Sequence, residues 1–319
     1  MKKLISALAL FLCVLFLASC GETALKTTVS PAAEPASFAE DVRKTEENCE
    51  PAEDGVLRVL LIGNSFCYNY CDELYELLKA KGIRAEIGNV YYSGCHLSQH
   101  WEWYDSTPNY RFILHSVNGR KQENDKNMRY CLQARNWDVI SFQEHFSPAV
   151  ASSYENALKT AESPLRSLLN VIGKKCPKAK FVWNETWAYQ IGYSYPEKNM
   201  HIANLEEQTN QYRVIHDVTN TLCEEFSLPM VPLGEAWQIA RQNSEIGDTL
   251  CLKKDGSTDS YHDGDAGGGQ LLNALVWYEF LTGESCLENS FVPADYSLSS
   301  AKIAALKEAA HRATTDLNG

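Results

Sequence analysis

The chain is poor in basic side chains. Its 319 residues include 29 lysines and arginines against 41 aspartates and glutamates, which gives a formal net charge of −12. A surface with this excess of carboxylates repels phosphate backbones and other anionic polymers. The composition therefore argues against nucleic acid as a partner, whereas it is compatible with a neutral glycan.

Repeats, low-complexity runs and phosphate-binding loops are also absent from the sequence between 56 and 319. The glycine run Gly267-Gly268-Gly269 lacks the Lys-Ser/Thr pair that contacts phosphate and magnesium in nucleotide-binding loops. Since neither a repeat nor a change of composition divides this span, its length suits one large domain rather than two.

A disulfide framework cannot be recognised, although the chain has 11 cysteines. Cysteines of an exported protein usually pair in an oxidising compartment. Here an odd number remains once Cys13 and Cys20 of the N-terminal segment are set aside. Cys67 and Cys71 lie one helical turn apart, which is compatible with a metal pair but is more typical of packing residues on one helix face. The sequence leaves their redox state open.

The N-terminus has the features of a targeting segment. Two lysines precede the almost unbroken apolar stretch Leu4–Leu17, which is short for a membrane span. The next residues, Leu17-Ala18-Ser19-Cys20, resemble the lipobox of bacterial lipoproteins. The resemblance implies a signal peptide over residues 1–19, cleavage before Cys20 and acylation of that cysteine. An ordinary secretory signal and an uncleaved anchor are the alternatives.

Residues 20–55 are predicted to form a disordered tether. Ala, Pro, Glu, Thr and Ser dominate this stretch without an apolar period, so it cannot bury enough surface to fold alone. Each buried methylene group of an acyl chain contributes about 0.8 kcal/mol to membrane binding. We therefore expect an exported lipoprotein at the cell surface or the periplasmic face. Its lipid on Cys20 would be its only contact with the membrane, and its folded domain would span 56–319.

Strand and helix patterns alternate along that domain. Short apolar runs with polar flanks, typical of buried parallel strands, occur at 56–62, 84–91, 137–143, 179–185 and 229–232. Helical spacing occurs between and after them, at 153–174, 201–226, 271–283 and 299–315 among others. The alternation predicts an α/β protein, a three-layer α/β/α sandwich of flavodoxin-like type with a central parallel sheet of about five strands.

Ser65 stands where the first predicted strand meets a helix. It follows a Gly-Asn turn, and a serine in that position presents its hydroxyl at the open edge of a sheet, although it could also serve as a helix cap. Gly94 follows the second strand and Gln143 ends the third. Because parallel sheets form their sites at the carboxyl ends of the strands, we expect these three residues to lie together.

An acid and a histidine lie three residues apart near the other end of the domain. Asp259 and His262 are the orienting acid and the base that a serine nucleophile requires. Together with Ser65 they indicate an ester hydrolase. Ser65 would attack, His262 would take and return the proton, and Asp259 would hold the imidazole.

Four short segments resemble the ordered blocks of the SGNH/GDSL hydrolase superfamily. They are Gly63-Asn64-Ser65, Ser93-Gly94, Gln143 and Asp259-x-x-His262, and the likeness extends over about 56–285 to a poorly characterised exported branch. The resemblance implies a serine esterase that needs no cofactor and no metal. It also implies a small acyl ester, O-acetyl first of all, on a glycan. A lipase or thioesterase of the same superfamily and a non-catalytic glycan-binding lipoprotein are the alternatives.

The same resemblance assigns an oxyanion hole to Ser65, Gly94 and Gln143. The third block normally supplies an asparagine in a Gly-x-Asn-Asp string, whereas Gln143 carries the same amide on a stem that is one methylene longer. Asp255 and Asp263 are rival acids for the histidine. Asp255 is too far back for the spacing of the superfamily, and Asp263 would have to fold back on its neighbour.

Further residues at the strand ends are candidates for substrate contacts, namely Asn64, Glu144 and Trp187. Fixing or packing a loop is the alternative for Glu144 and Trp187. His96 and His100 have the i, i+4 spacing of a metal pair on a helix, but no third ligand follows at a convincing spacing. We therefore expect these two histidines to form a substrate wall or to pack.

Overall fold

The computed structural model describes residues 54–106, 109–294 and 297–315. The predicted signal peptide, the acylated Cys20 and nearly all of the predicted tether lie outside these ranges. Within them, no helix has the length and the apolar character that a membrane span requires.

The central sheet is parallel with an antiparallel extension at one side. Its strands are β1 (Leu57–Gly63), β2 (Ala85–Tyr91), β3 (Tyr110–Ser116), β4 (Gly119–Lys126), β5 (Val139–Phe142), β6 (Lys180–Asn184) and β9 (Met230–Val231), while β7 (Ser194–Tyr195) and β8 (Met200–His201) form a separate hairpin. The order in the sheet is β4-β3-β2-β1-β5-β6-β9. The five neighbouring strands β2, β1, β5, β6 and β9 are parallel to one another. These are the five predicted strands, so the predicted parallel sheet is confirmed.

Helices cover both faces of this sheet. They are α1 (Cys71–Ala80), α2 (Leu97–Glu102), α3 (Met128–Gln133), α4 (Tyr154–Lys175), α5 (Leu205–Phe226), α6 (Leu233–Arg241), α7 (Gly269–Thr282) and α8 (Ser300–Thr315). Buried side chains of α1, α6, α7 and α8 belong to one hydrophobic cluster, and those of α2 to α5 belong to the other. The predicted three-layer α/β/α sandwich is therefore confirmed.

The antiparallel pair β3–β4 was not predicted. β3 is an apolar run, but β4 has the sequence GRKQENDK and none of its residues is buried. It lies at the edge of the sheet, where charged side chains protect free backbone groups from pairing with another chain. Such a strand lacks the alternation of apolar and polar residues that marks a strand in a sequence.

The described cysteines are packing residues. Cys67 and Cys71 are buried in the cluster beneath α1, and all eight cysteines of the described residues are free. Burial raises the pKa of the Cys67 thiol to about 12, so this thiol stays protonated at neutral pH. Among the described residues, no group of three or more potential metal ligands is present.

A glycine in β2 allows the indole of Trp137 to lie directly against the sheet. A Cβ on Gly88 would lie 2.5 Å from Trp137 Cη2 and 3.0 Å from Leu60 Cδ1. We predict that Gly88→Ala lowers the free energy of unfolding by about 1–3 kcal/mol, because the indole must move in a close-packed core. Urea denaturation measures this loss. The exposed control Lys79→Ala should stay within about 0.5 kcal/mol of wild type, and an equally small effect of Gly88→Ala would contradict the packing described.

Candidate active site

β1 ends on a tight turn that holds Ser65 at the carboxyl edge of the sheet. Asn64 caps the short 3-10 helix that begins at Ser65, because its Oδ1 accepts a hydrogen bond from the Phe66 N–H at 3.0 Å. Gly63 has no room for a side chain, since a Cβ there would lie 2.7 Å from Gln143 Cγ. The conformation of the nucleophile turn therefore depends on the Gly-Asn pair ahead of the serine.

The loop before α7 brings Asp259 and His262 to this serine. His262 Nδ1 lies 2.5 Å from Asp259 Oδ2, and His262 Nε2 lies 2.7 Å from Ser65 Oγ. A carboxylate only accepts, so in the neutral ring the proton lies on Nδ1 and Nε2 accepts from the serine hydroxyl. Ser260 has a φ of +62°, and this left-handed residue folds the chain so that Asp259 Oδ1 accepts the His262 N–H at 2.9 Å. The structure thus brings the three predicted residues into one hydrogen-bonded chain.

Asp259 is held in its ionised form. Partial burial acts to raise its pKa, but the hydrogen bond and charge of His262 and the hydrogen bond of Lys253 outweigh burial and hold the pKa well below its ordinary value. The Lys253 ammonium lies 2.9 Å from Asp259 Oδ2. An ionised acid fixes the tautomer of the imidazole and stabilises the imidazolium that forms when the ring takes a proton. Sequence reasoning missed Lys253, because a lysine six residues earlier in a polar loop gives no signal.

The two rival acids have other partners. Asp263 is fully buried, and its carboxylate accepts hydrogen bonds from Asn69 at 2.8 Å and from Asn273 at 3.0 Å. Burial raises the pKa of Asp263 to about 6. Asp255 instead accepts hydrogen bonds from the N–H and the hydroxyl of Ser257. Only Asp259 faces the histidine.

The backbone N–H of Ser65 and that of Gly94, in the loop tied to the nucleophile turn, have no hydrogen-bond acceptor among the described residues. Gly94 has a φ of +63° and open space where a Cβ would be, and its loop is tied to the nucleophile turn by a 2.8 Å hydrogen bond from Asn64 Nδ2 to Cys95 O. N–H groups without an internal acceptor are the kind of donor that an oxyanion requires.

Gln143 reaches the nucleophile turn from the end of β5. Its Nε2 donates to Asn64 Oδ1 at 2.6 Å, and the side chain is almost fully buried. One amide hydrogen therefore supports the turn, and the amide has a second one. The longer stem of glutamine fits because Gly63 leaves the space that Cγ occupies.

The predicted substrate contacts lie inside the protein rather than on the open face of the site. Asn64, Glu144 and Trp187 are each 0% exposed. The Asn64 amide is hydrogen-bonded to the Phe66 N–H, Cys95 O and Gln143 Nε2. Glu144 accepts hydrogen bonds from His96 Nδ1 at 2.6 Å and from the Leu97 N–H at 2.9 Å. The prediction that these three side chains contact the substrate is therefore corrected, because each is buried and has a hydrogen-bond partner inside the protein. They support the walls of the site.

Trp187, the third predicted substrate contact, is also an internal packing residue. It stacks on Trp237 with ring centroids 4.4 Å apart, and its indole N–H donates to Tyr261 O at 2.8 Å. The spacing of residues after a strand does not reveal which side chains turn inward. Here the indole braces the loop that carries the catalytic candidate His262.

The histidines at i, i+4 spacing do not face a common point. His96 is bound to Glu144, whereas His100 is fully buried with Nδ1 3.0 Å from the Tyr110 hydroxyl. Burial lowers the pKa of His100 to about 3. The prediction of wall and packing roles is compatible with this placement.

An open cleft of about 450 Å³ leads to the serine. Its walls include Ser65, His262, Tyr68, Tyr91 and Asn69. A larger cavity of about 1090 Å³ lies where the parallel strands begin, next to Arg58 and Asp138, and is therefore at the edge of the sheet opposite the serine. Because the hydrogen-bonded chain opens into the smaller cleft, we take that cleft as the site. Tyr68 and Tyr91 were missed in the sequence, since tyrosines near strand ends are common.

Fold and site together define an α/β protein with a serine–histidine–aspartate arrangement at the carboxyl edge of a parallel sheet. Residues 58–313 match DUF4886, a domain of unknown function, and the chain belongs to that family. A search of curated proteins found no match.

Solved structures support the fold. A DUF4886 family protein from Bacteroides uniformis ATCC 8492 is 27% identical, with a TM-score of 0.71 over 83% of this chain and 96% of that chain. A provisionally named GDSL-like lipase from Parabacteroides merdae ATCC 43184 is 19% identical, with a TM-score of 0.50 over 74% and 99% of the two chains. A mutant of an acetyl-xylooligosaccharide esterase from a Geobacillus species is 14% identical, with a TM-score of 0.45 over 74% and 96%, and no conclusion rests on it.

The buried His100 makes the fold sensitive to acid. An unfolded histidine takes a proton near pH 6.5, whereas folded His100 stays neutral down to about pH 3. The unfolded state therefore binds more protons below pH 6.5, so stability falls as the pH is lowered through this window. Between about pH 6.5 and about pH 5 this loss amounts to about 2 kcal/mol. We predict that His100→Phe removes it, as measured by urea unfolding across this range. Parallel pH profiles for the variant and wild type would contradict the prediction.

Proposed function

We propose that this protein is a serine esterase that hydrolyses small acyl esters through an acyl-enzyme. The observation that carries the proposal is the continuous chain of hydrogen bonds from Asp259 through His262 to Ser65 Oγ. An imidazole held between a carboxylate and a serine hydroxyl is the arrangement that activates serine for attack on a carbonyl.

In the first half of the reaction, Ser65 Oγ bonds to the carbonyl carbon of the ester while its proton passes to His262 Nε2. The carbonyl oxygen becomes an oxyanion, and the N–H groups of Ser65 and Gly94 donate to it. The imidazolium, stabilised by Asp259, then gives its proton to the oxygen of the leaving alcohol as the C–O bond breaks. The acyl group remains on Ser65.

In the second half, water replaces the alcohol. His262 Nε2 takes a proton from this water as its oxygen bonds to the acyl carbon. The new tetrahedral intermediate is held by the same N–H groups, and its collapse breaks the bond to Ser65 Oγ, which regains the proton from His262. The carboxylic acid leaves, and all groups return to their starting protonation states.

Membership of the SGNH/GDSL superfamily is part of the proposal. The order of the four sequence blocks and the three-layer fold support it. The polar lining of the cleft, which includes Asn69 and Lys253, supports a small polar ester such as an O-acetylated glycan. A lipase or thioesterase would instead need a long apolar channel, and a non-catalytic binding protein would not need the intact hydrogen-bonded chain.

The location of the enzyme is also proposed. The lipobox-like residues that end at Cys20 support an exported lipoprotein, and residues 20–55 would tether the domain to the membrane. This assignment rests on the sequence alone. Palmitate labelling of the wild-type chain but not of a Cys20→Ala variant would support it, and equal labelling would refute it.

The esterase proposal predicts unequal roles for the acids of one loop. Ser65→Ala should abolish hydrolysis of p-nitrophenyl acetate, and Asp259→Asn should lower kcat by about 10⁴-fold, because an asparagine favours the wrong imidazole tautomer. Asp255→Asn is the matched control, since that acid binds Ser257 instead of the histidine. It should change kcat by less than about tenfold. Full activity of Ser65→Ala, or equal effects of the two Asp variants, would refute the assignment.

Gln143 is proposed as a third donor to the oxyanion through its second amide hydrogen. Replacement by methionine keeps the length of the side chain but removes both donors. We predict that Gln143→Met lowers kcat by about 10²–10³-fold with little change in KM, because the interaction is made mainly in the transition state. Gln133→Met, at an exposed position of α3, is the control. A kcat for Gln143→Met within about threefold of wild type would refute the role.

A further inference from the structure

In the proposed mechanism, the alcohol part of the ester would lie in the cleft beside Tyr68 and Tyr91. His262 must give its proton to the leaving oxygen, so the alcohol lies on the side of the serine that His262 faces. That side is the open cleft, which Tyr68 and Tyr91 also line. Groups on this wall therefore contact the alcohol rather than the acyl group. This step rests on the proposed esterase function.

Two arginines from the antiparallel extension stand against these tyrosines. The guanidinium carbon of Arg111 lies 4.3 Å from the centre of the Tyr91 ring. Arg120 Nη2 donates to the Tyr68 hydroxyl at 3.0 Å. The two tyrosine rings are themselves 4.9 Å apart, so the four side chains form one row, in which the two tyrosines line the cleft and the two arginines contact the tyrosines. Arg111 is half-buried and Arg120 is exposed.

Neither arginine is neutralised by a carboxylate within the described ranges. Five of the ten arginines in the described ranges each bind a carboxylate within 4.0 Å, namely Arg58, Arg129, Arg135, Arg166 and Arg241, and three more, Arg84, Arg213 and Arg312, resemble Arg111 and Arg120 in binding none. The nearby carboxylate of Asp72 binds His115, with its Oδ1 2.9 Å from His115 Nδ1; this hydrogen bond lowers the pKa of Asp72, and the charge of Arg120 adds a smaller lowering. Arg111 and Arg120 differ from the other arginines without a bound carboxylate because they contact tyrosines that line the cleft.

We infer that Arg111 and Arg120 bind a carboxylate on the alcohol part of the substrate, so that the preferred ester is an O-acyl derivative of an acidic sugar such as a uronic acid. The planar guanidinium matches a carboxylate with two parallel hydrogen bonds. Stacking on Tyr91 fixes the plane of Arg111 and leaves its N–H edge free. The acidic surface as a whole disfavours a long anionic polymer. A single carboxylate next to the scissile ester would meet the tyrosine wall with its two arginines on one side, and the other lining residues of the cleft include Lys253 and Lys254 as well as Asp255 and Asp265.

The test compares two glycosides that differ only in the carboxylate. Methyl glucuronoside and methyl glucoside are used as inhibitors of p-nitrophenyl acetate hydrolysis. We expect the glucuronoside to have an inhibition constant about tenfold lower with wild type, an advantage that weakens at high salt. Arg111→Gln and Arg120→Gln should bring the ratio of the two constants towards one, and Arg111→Lys should keep part of it. Because the readout is a ratio, a general loss of activity cancels.

Arg129→Gln is the matched control. Arg129 is exposed and bound to Asp105 rather than to a tyrosine of the cleft. It should leave the ratio unchanged. Equal inhibition of wild type by both glycosides, or a preference that survives both arginine substitutions, would overturn the inference. If wild type does not hydrolyse p-nitrophenyl acetate, the esterase proposal fails separately. In that case, calorimetry measures the dissociation constants of the same two glycosides with wild type. Tighter binding of the glucuronoside, by about tenfold, would support the arginine site, and equal binding of the two glycosides would contradict it.

Discussion

The site depends on the two hydrogen bonds made by the ring of His262. One ring nitrogen meets a carboxylate three residues back in the same loop, and the other meets a hydroxyl 197 residues away in the sequence. Neither contact alone gives a nucleophile. The carboxylate fixes the tautomer, and only the fixed tautomer presents a free lone pair to the serine. The remaining features of the fold act by keeping these two distances short.

Buried amides hold the serine side of this contact. Gln143 donates to Asn64, and the Asn184 amide lies 3.5 Å from Gln143 Oε1. Trp277 of α7 donates to Asn184 Oδ1 at 3.1 Å. The network therefore joins the ends of β1, β5 and β6 to the helix that follows the histidine loop. A buried network of this kind favours a single arrangement of its side chains. Any other arrangement would leave a buried polar group without a hydrogen-bond partner, which costs free energy because no water can replace that partner.

The parallel strands and the three residues of the hydrogen-bonded chain could be predicted from the sequence. Strands covered on both faces, such as β1, leave short apolar runs, and Ser65 follows one of them directly. The strand β4 could not be predicted, because an exposed edge strand needs no apolar side chains. Its partner β3 is a buried apolar run that has the signal of a strand and was missed. The inward orientation of Glu144 and Trp187 depends on loop conformation, which spacing does not encode. The proposed arginine row had no signal either, since its members come from segments that only the antiparallel extension brings together.

Covalent labelling with a fluorophosphonate tests the central claim most directly. The reagent bonds to a serine oxygen whose proton is taken by a neighbouring base. The account predicts one adduct, found by mass spectrometry on the peptide that contains Ser65, and a rate of labelling that falls by orders of magnitude in His262→Ala. A folded protein in which Ser65 remains unlabelled, or in which labelling is equally fast without His262, would contradict the account.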